Sequence, residues 1–106
     1  MNSEMHIIRA GEKVIADRFG MDGEVGDVWD DLRVFRLALI ARIQWLIDYQ
    51  LERLMHILYR VDVDEPLVQR VFTDTPAAGI ASALADLIID RQMEKARTRA
   101  RHRRES

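Results

Sequence analysis

Between Gly26 and Pro66 the chain has neither glycine nor proline, and across that span its apolar residues recur at helical rather than strand spacing. Leu32, Leu39, Ile40, Ile43, Leu46, Ile47, Leu51, Leu54, Ile57 and Leu58 occupy roughly half of the helix circumference at about 100° per residue. Asp30, Asp31, Arg42, Asp48, Glu52, Arg53, His56 and Arg60 gather on the other side. The pattern predicts one long helix over residues 27–60, about 45 Å or more in length. Asp27 is placed to cap it, because its carboxylate accepts from an unpaired backbone N–H and complements the positive end of the helix. An element of that length dictates the rest: every other segment has to be arranged around it.

The flanking segments fit that role. In residues 3–19, Ile7, Ile8, Val14, Ile15 and Phe19 follow a helical period. Gly11 weakens a helix by about 1 kcal/mol relative to alanine, so a hairpin turning at Ala10 and Gly11 is the competing reading. The stretch GMDGEVG, residues 20–26, reads as a loop. Beyond the long helix, Asp64 precedes Glu65 and Pro66, and proline is tolerated in a first helical turn because its missing N–H is not needed there. Asp64 is therefore expected as the N-cap of a short helix from Glu65 to about Phe72. Val61, Val63, Leu67, Val68 and Val71 supply the apolar side of this corner. In TDTPAAG the same device recurs, with Thr75 as cap and Pro76 in the first turn. A final helix follows, burying Ile80, Leu84, Leu87, Ile88 and Met93, with Ala81, Ala83 and Ala85 permitting close approach. The expected fold is all-α: a small helical bundle with one long central helix, a short corner helix and two flanking helices. Residues 1–94 form the domain, and 95–106 a basic tail expected to fray.

Charge and composition limit the functions such a bundle serves. Apolar residues make up 48% and charged residues 32% of 106 residues, the mixture of one foldable domain rather than of a disordered chain. The net charge of −2 hides a division. Residues 1–90 hold nine basic and sixteen acidic side chains, and residues 91–106 hold seven and two. Glu4, Arg9, Glu12, Lys13, Asp17 and Arg18 stand where a signal peptide needs an apolar stretch, which predicts a protein that is not exported. Arg42, Asp48, Glu52, Arg53 and His56 interrupt the most apolar window and argue against a membrane span. The absence of cysteine excludes disulfides and thiolate metal sites and favours the cytoplasm.

The inventory for catalysis is thin. Histidine occurs at positions 6, 56 and 102 and serine at 3, 82 and 106, and no nucleophile has a base at a recognisable spacing. The glycines of GMDGEVG lack the spacing of a nucleotide loop. Asp62 and Asp64 lack the alternating oxygen ligands and central glycine of a calcium loop. Asp48, Glu52 and His56, at i, i+4 and i+8, share one helical stripe and have the chemistry to hold a divalent ion, but a solvated stripe of helical charge pairs explains them as well and is preferred. The reading is non-enzymatic, with no metal and no cofactor.

Two surfaces remain. Trp45 and Tyr49 form an i, i+4 aromatic pair with Arg53 nearby, and Trp29 poses the same question upstream. Trp, Tyr and Arg are the residue types that anchor protein interfaces, with core packing as the competing explanation. A helix apolar over half its girth exceeds what so short a chain readily covers, so the expectation is an interaction module that forms a homodimer. The alternative is a nucleic-acid-associated accessory protein that uses Arg97, Arg99, Arg101, Arg103 and Arg104 on phosphates. Against it stand the acidic body and the lack of an RNA-binding aromatic motif.

The run LMHILYRVDVDEPLVQRVF, with the later IIDRQMEKAR, resembles segments of small uncharacterised bacterial helical proteins over about the last half of the chain. That resemblance implies an all-helical fold and carries no chemistry.

Overall fold

The computed structural model describes residues 2–21 and 32–105, which form five helices and no strand among the described residues. These are α1 Asn2–Phe19, α2 Leu32–Tyr49, α3 Leu51–Arg60, α4 Glu65–Asp74 and α5 Ala77–Glu105. The all-α bundle with a short corner helix is as expected. The central element differs: residues 32–60 are two helices, and the longest helix is α5, with 29 residues and a length of about 43 Å. Asp27 and Trp29 lie outside the described residues.

The break at Gln50 needs no glycine or proline. Phe35, Leu39, Ile43 and Leu46 are the buried residues of α2, and Leu54, Ile57 and Leu58 those of α3. Continuing the α2 stripe by one more turn places residue 50 in the core, where an amide side chain would need partners that apolar neighbours do not offer. Gln50 instead adopts φ −146° and ψ 61° and is exposed, its Oε1 accepting from Arg53 Nη1 at 3.1 Å. Hydrogen bonding resumes at once, with Gln50 N–H donating to the Leu46 carbonyl and its own carbonyl accepting from Leu54. Leu51, expected in the core, is 46% exposed as a result.

Gly11 settles the question of a hairpin against a helix at the N-terminus. It lies inside α1, is buried, and a Cβ there would come within 2.9 Å of Met93 Sδ on α5. Its small size brings the two helices together at a cost in helix propensity that tertiary packing offsets. The helix ends in a left-handed Gly20 at φ +69°, with Met21 N–H donating to the Ala16 carbonyl and Gly20 N–H to Asp17. This is the Schellman pattern, and buried Met21 supplies the apolar contact that accompanies it.

The end of α3 repeats that pattern without a glycine. Asp62 takes φ +62°, with its N–H donating to Tyr59 and that of Val63 to Leu58. Asp64 is the N-cap of α4 and a proline sits in the first turn, but the Asp64 side chain makes no capping bond; its backbone carbonyl accepts from Val68. Thr75 closes α4 instead of capping α5, and the Pro76 carbonyl accepts from Gly79 N–H at 2.8 Å.

The core gathers on α5, which packs against α1, α2 and α4. Ala81, Leu84, Ala85, Ile88, Ile89 and Met93 face Ile15, Phe19, Phe35, Leu39, Ile43, Leu46 and Leu54 in one buried cluster. The helix continues past residue 95, the expected boundary, to Glu105, and Ala96 is only 4% exposed. The basic segment is thus an extension of the bundle's longest helix.

Candidate interaction surface

The surface of interest is the outer side of α2, opposite Phe35, Leu39, Ile43 and Leu46. The same 100° periodicity that buries those four turns Arg33, Val34, Leu37, Ala41, Trp45 and Asp48 outward, and all six are at least partly exposed. Val34 is 46%, Leu37 65%, Trp45 40% and Tyr49 72% exposed. The residues of α2 that join α1 and α5 in the buried cluster are Phe35, Leu39, Ile43 and Leu46, on the opposite side.

Trp45 is held rather than loose. Its ring lies 5.4 Å from that of Tyr49, tilted by 42°, and the Arg42 guanidinium sits 4.9 Å from its centroid, within cation–π range. Arg42 Nε donates to the Phe19 carbonyl at 2.9 Å, so the cation that braces the tryptophan also closes the C-terminal end of α1. The sequence places Arg42 on the solvent side; the structure makes it a half-buried cap. Arg53 lies across the Gln50 break on α3 and is exposed. The structure therefore brings Trp45 and Tyr49 together as an exposed pair.

α2 is fixed to α5 by a forked pair. Arg36 Nε and Nη2 reach the two oxygens of Asp86 at 2.8 and 3.1 Å, and Nη2 also donates to Ser82 Oγ at 2.7 Å. The hydrogen bond to Asp86, chiefly, and its charge hold Arg36 more firmly protonated, against a partial desolvation.

The acidic corner VDVD belongs to the scaffold. Arg91 Nη2 donates to Asp62 Oδ2 at 2.9 Å and Nε to the Asp62 carbonyl at 3.1 Å, while Lys95 stands 3.9 Å from the same carboxylate. The Arg91 hydrogen bond, then the charges of Arg91 and Lys95, pull the Asp62 carboxyl below its usual range. Arg91 also pairs with Glu94. Gln92, 1% exposed, donates from Nε2 to the Val61 carbonyl. This corner is a clasp on α5.

The stripe Asp48, Glu52 and His56 is interrupted by the Gln50 break, which puts Asp48 on α2 and the other two on α3. Among the described residues no group of three His, Asp or Glu side chains converges as a metal site. Glu52, Arg53, His56 and Arg60 line a groove of about 480 Å³ with Asp17 and Arg18, where opposite charges are mixed. A smaller and more apolar groove, of about 390 Å³, lies between α3 and α4 over Leu51, Met55, Val68 and Phe72. Arg97, Arg99, Arg101 and Arg103 are exposed on the last turns of α5, and Arg104 lies in the same helix. Among the described residues no helix is long and apolar enough to cross a membrane.

One buried group is not among the residues that the sequence pattern singles out. Glu12 is 3% exposed and its Oε2 has no hydrogen-bond partner. Loss of hydration raises its carboxyl from 4.5 to about 7, and the charge of Arg9 one turn away opposes the shift. The signal is present in the spacing, since Glu12 falls on the stripe of Ile8, Ile15 and Phe19.

No protein-family model, no curated protein and no solved structure matches the chain.

Proposed function

We propose that this protein is a non-enzymatic helical interaction module that self-associates through the outer face of α2, with Trp45 and Tyr49 as anchors and no cofactor. The observation that supports this reading is the uncovered apolar stripe of Val34, Leu37, Trp45 and Tyr49. At about 150 to 250 Å² per large side chain it leaves roughly 400 Å² of apolar surface in water. A standard interface removes about 800 Å² per partner, of which a little over half, roughly 450 Å², is non-polar. The stripe is of the size one such interface needs. The absence of cysteine is consistent with action in the cytoplasm.

Sedimentation velocity across a concentration series tests the reading. The expected result is a dimer that dissociates on dilution, and a Leu37→Glu variant with unchanged helicity that stays monomeric. A wild-type chain that remains monomeric at high micromolar concentration overturns it.

A second reading rests on α5. Because α5 extends to Glu105, Arg97, Arg99, Arg101 and Arg103 stand on its last turns, and guanidinium groups carried on a helix meet phosphates at less ordering cost than those on a coil. Retention on DNA at low salt, lost when the four are changed to alanine, supports it; equal retention of the two proteins removes it.

A further inference from the structure

We infer that the partner on the α2 face is a second copy of this chain lying antiparallel, with the two-fold axis passing through Ala41. The inference rests on the reading of this face as a self-association surface, and three observations carry it further.

The first is the arrangement of side-chain size. Along the outer face the exposed residues run Val34, Leu37, Ala41, Trp45 and Tyr49, so the small side chain sits in the middle with bulky ones on both sides. Two helices crossing at Ala41 approach closely there. An antiparallel copy then sets Leu37 against Trp45 of the partner subunit and Val34 against the partner's Asp48 and Tyr49, filling large against large on either side of a small centre. A parallel copy gives a tryptophan against its own twin and a leucine against its own twin, with less scope for one side chain to fill beside another.

The second is charge. Arg33 and Asp48 lie one at each end of this face, about 22 Å apart along the axis. In the antiparallel arrangement each Arg33 meets the partner's Asp48. In the parallel one, aspartate faces aspartate and arginine faces arginine, which is repulsive at both ends. The helix dipoles favour the same choice, since antiparallel helices place opposite partial charges side by side.

The third is symmetry. A closed dimer uses one patch twice, with residue i meeting j and j meeting i. The face meets that requirement about Ala41: positions 37 and 45 lie four residues to either side, and 33 and 48 close to seven or eight.

The chain has no cysteine, so a single introduced one reports on the arrangement without background. Helices packed about 8 to 10 Å apart, with Cα atoms on cylinders of about 2.3 Å radius, leave facing Cα atoms roughly 3.5 to 5.5 Å apart at the axis. That overlaps the disulfide range of about 4.4 to 6.8 Å. Two Leu37 positions would be displaced by about 12 Å along the axis, too far to bridge. Both residues are exposed, so neither substitution disturbs the core. The experiment is mild oxidation of Ala41→Cys and, separately, Leu37→Cys in the full chain, followed by non-reducing electrophoresis, with sedimentation of the unmodified protein alongside. Rapid cross-linking of Ala41→Cys alone is the expected result, together with cross-linking of a Leu37→Cys, Trp45→Cys double variant. Cross-linking of both single variants indicates a parallel dimer and overturns the inference. A dimer in sedimentation in which Ala41→Cys does not cross-link overturns the arrangement and leaves the self-association reading intact. A monomer overturns both.

Discussion

Gln92 Nε2 donates a 2.6 Å hydrogen bond to the Val61 carbonyl, inside the core and across 31 residues of sequence. That carbonyl lies at the end of α3, where helix carbonyls lose their own partners, and the amide of a buried α5 residue supplies the missing donor. The adjacent Arg91–Asp62 contact does a similar job at the surface. The two bonds look alike on a diagram and differ in surroundings, and the surroundings decide which matters.

Gln92→Leu leaves the Val61 carbonyl buried and unpaired, so it is expected to destabilise the fold by about 1 to 3 kcal/mol. Asp62→Asn, in a position open to water, is expected to cost less and to lose most of its effect at high salt. Urea unfolding of both variants at low and high ionic strength checks the ordering. A larger loss for Asp62→Asn would show that the exposed clasp, and not the buried amide, ties α3 to α5.

At Gly11 a valine has no room, because even its Cβ would meet Met93 Sδ at 2.9 Å. Overpacking of this kind costs about 1 to 3 kcal/mol. The close atom belongs to a flexible side chain, so the cost should be coupled to it: Gly11→Val in a Met93→Ala background is expected to lose less stability than the two separate losses combined. Additive losses in thermal unfolding would place the strain elsewhere in α1.

Much of this architecture can be read from spacing alone. The apolar periods locate α1, α5 and the helical span that α2 and α3 divide, and the proline after Asp64 locates α4, because helix formation in a short chain is governed by local pattern and by where proline is tolerated; the break at Gln50 is not among what they locate. The residues that escape such a reading are those whose role depends on a distant segment. Arg42 looks like a solvent-side charge until α1 ends beside it, and Arg91 looks like ordinary helix surface until the α3 corner arrives. Trp45 is ambiguous for the same reason, since an i, i+4 aromatic pair packs equally well in a core or at an interface, and only the placement of α1 and α5 on the far side leaves it uncovered. Gln50 and Glu12 are different: each is a polar residue on an apolar stripe, a conflict visible in the sequence. The chain resolves the first by breaking the helix and the second by raising a pKa.

Gln50→Leu tests the first of these solutions. With no amide to keep out of the core, the stripe from Leu46 to Leu54 becomes continuous, and the backbone can remain helical through residue 50. The N–H groups at the start of α3, which lack helical partners as long as Gln50 interrupts the chain, would then gain them. Hydrogen exchange at Leu51, Glu52 and Arg53 is expected to slow in the variant by tenfold or more, about 1.4 kcal/mol in protection. Unchanged exchange at these three amides would mean that packing against α5, rather than the polarity of residue 50, sets the break.

Glu12 gives the fold a pH dependence whose sign follows from burial. Its carboxyl, 4.5 when hydrated, stands at about 7 in the folded chain because desolvation penalises the ionised form more than Arg9 favours it. Below about pH 4.5 it is protonated in both folded and unfolded states, and its full contribution to stability is present. As the pH rises toward 7 the unfolded chain releases the proton while the folded chain retains it, so stability falls. Above about pH 7 both states are ionised and the loss is constant, on the order of 3.5 kcal/mol at roughly 1.4 kcal/mol for each pH unit that separates the folded from the unfolded pKa. Glu12→Gln keeps the size of the side chain and removes the charge. Relative to wild type it is expected to gain stability progressively between about pH 4.5 and 7 and no further above that, in urea unfolding carried out from about pH 4 to 8. A difference between the two proteins that does not vary with pH would show that Glu12 ionises in the folded chain as readily as it does in water.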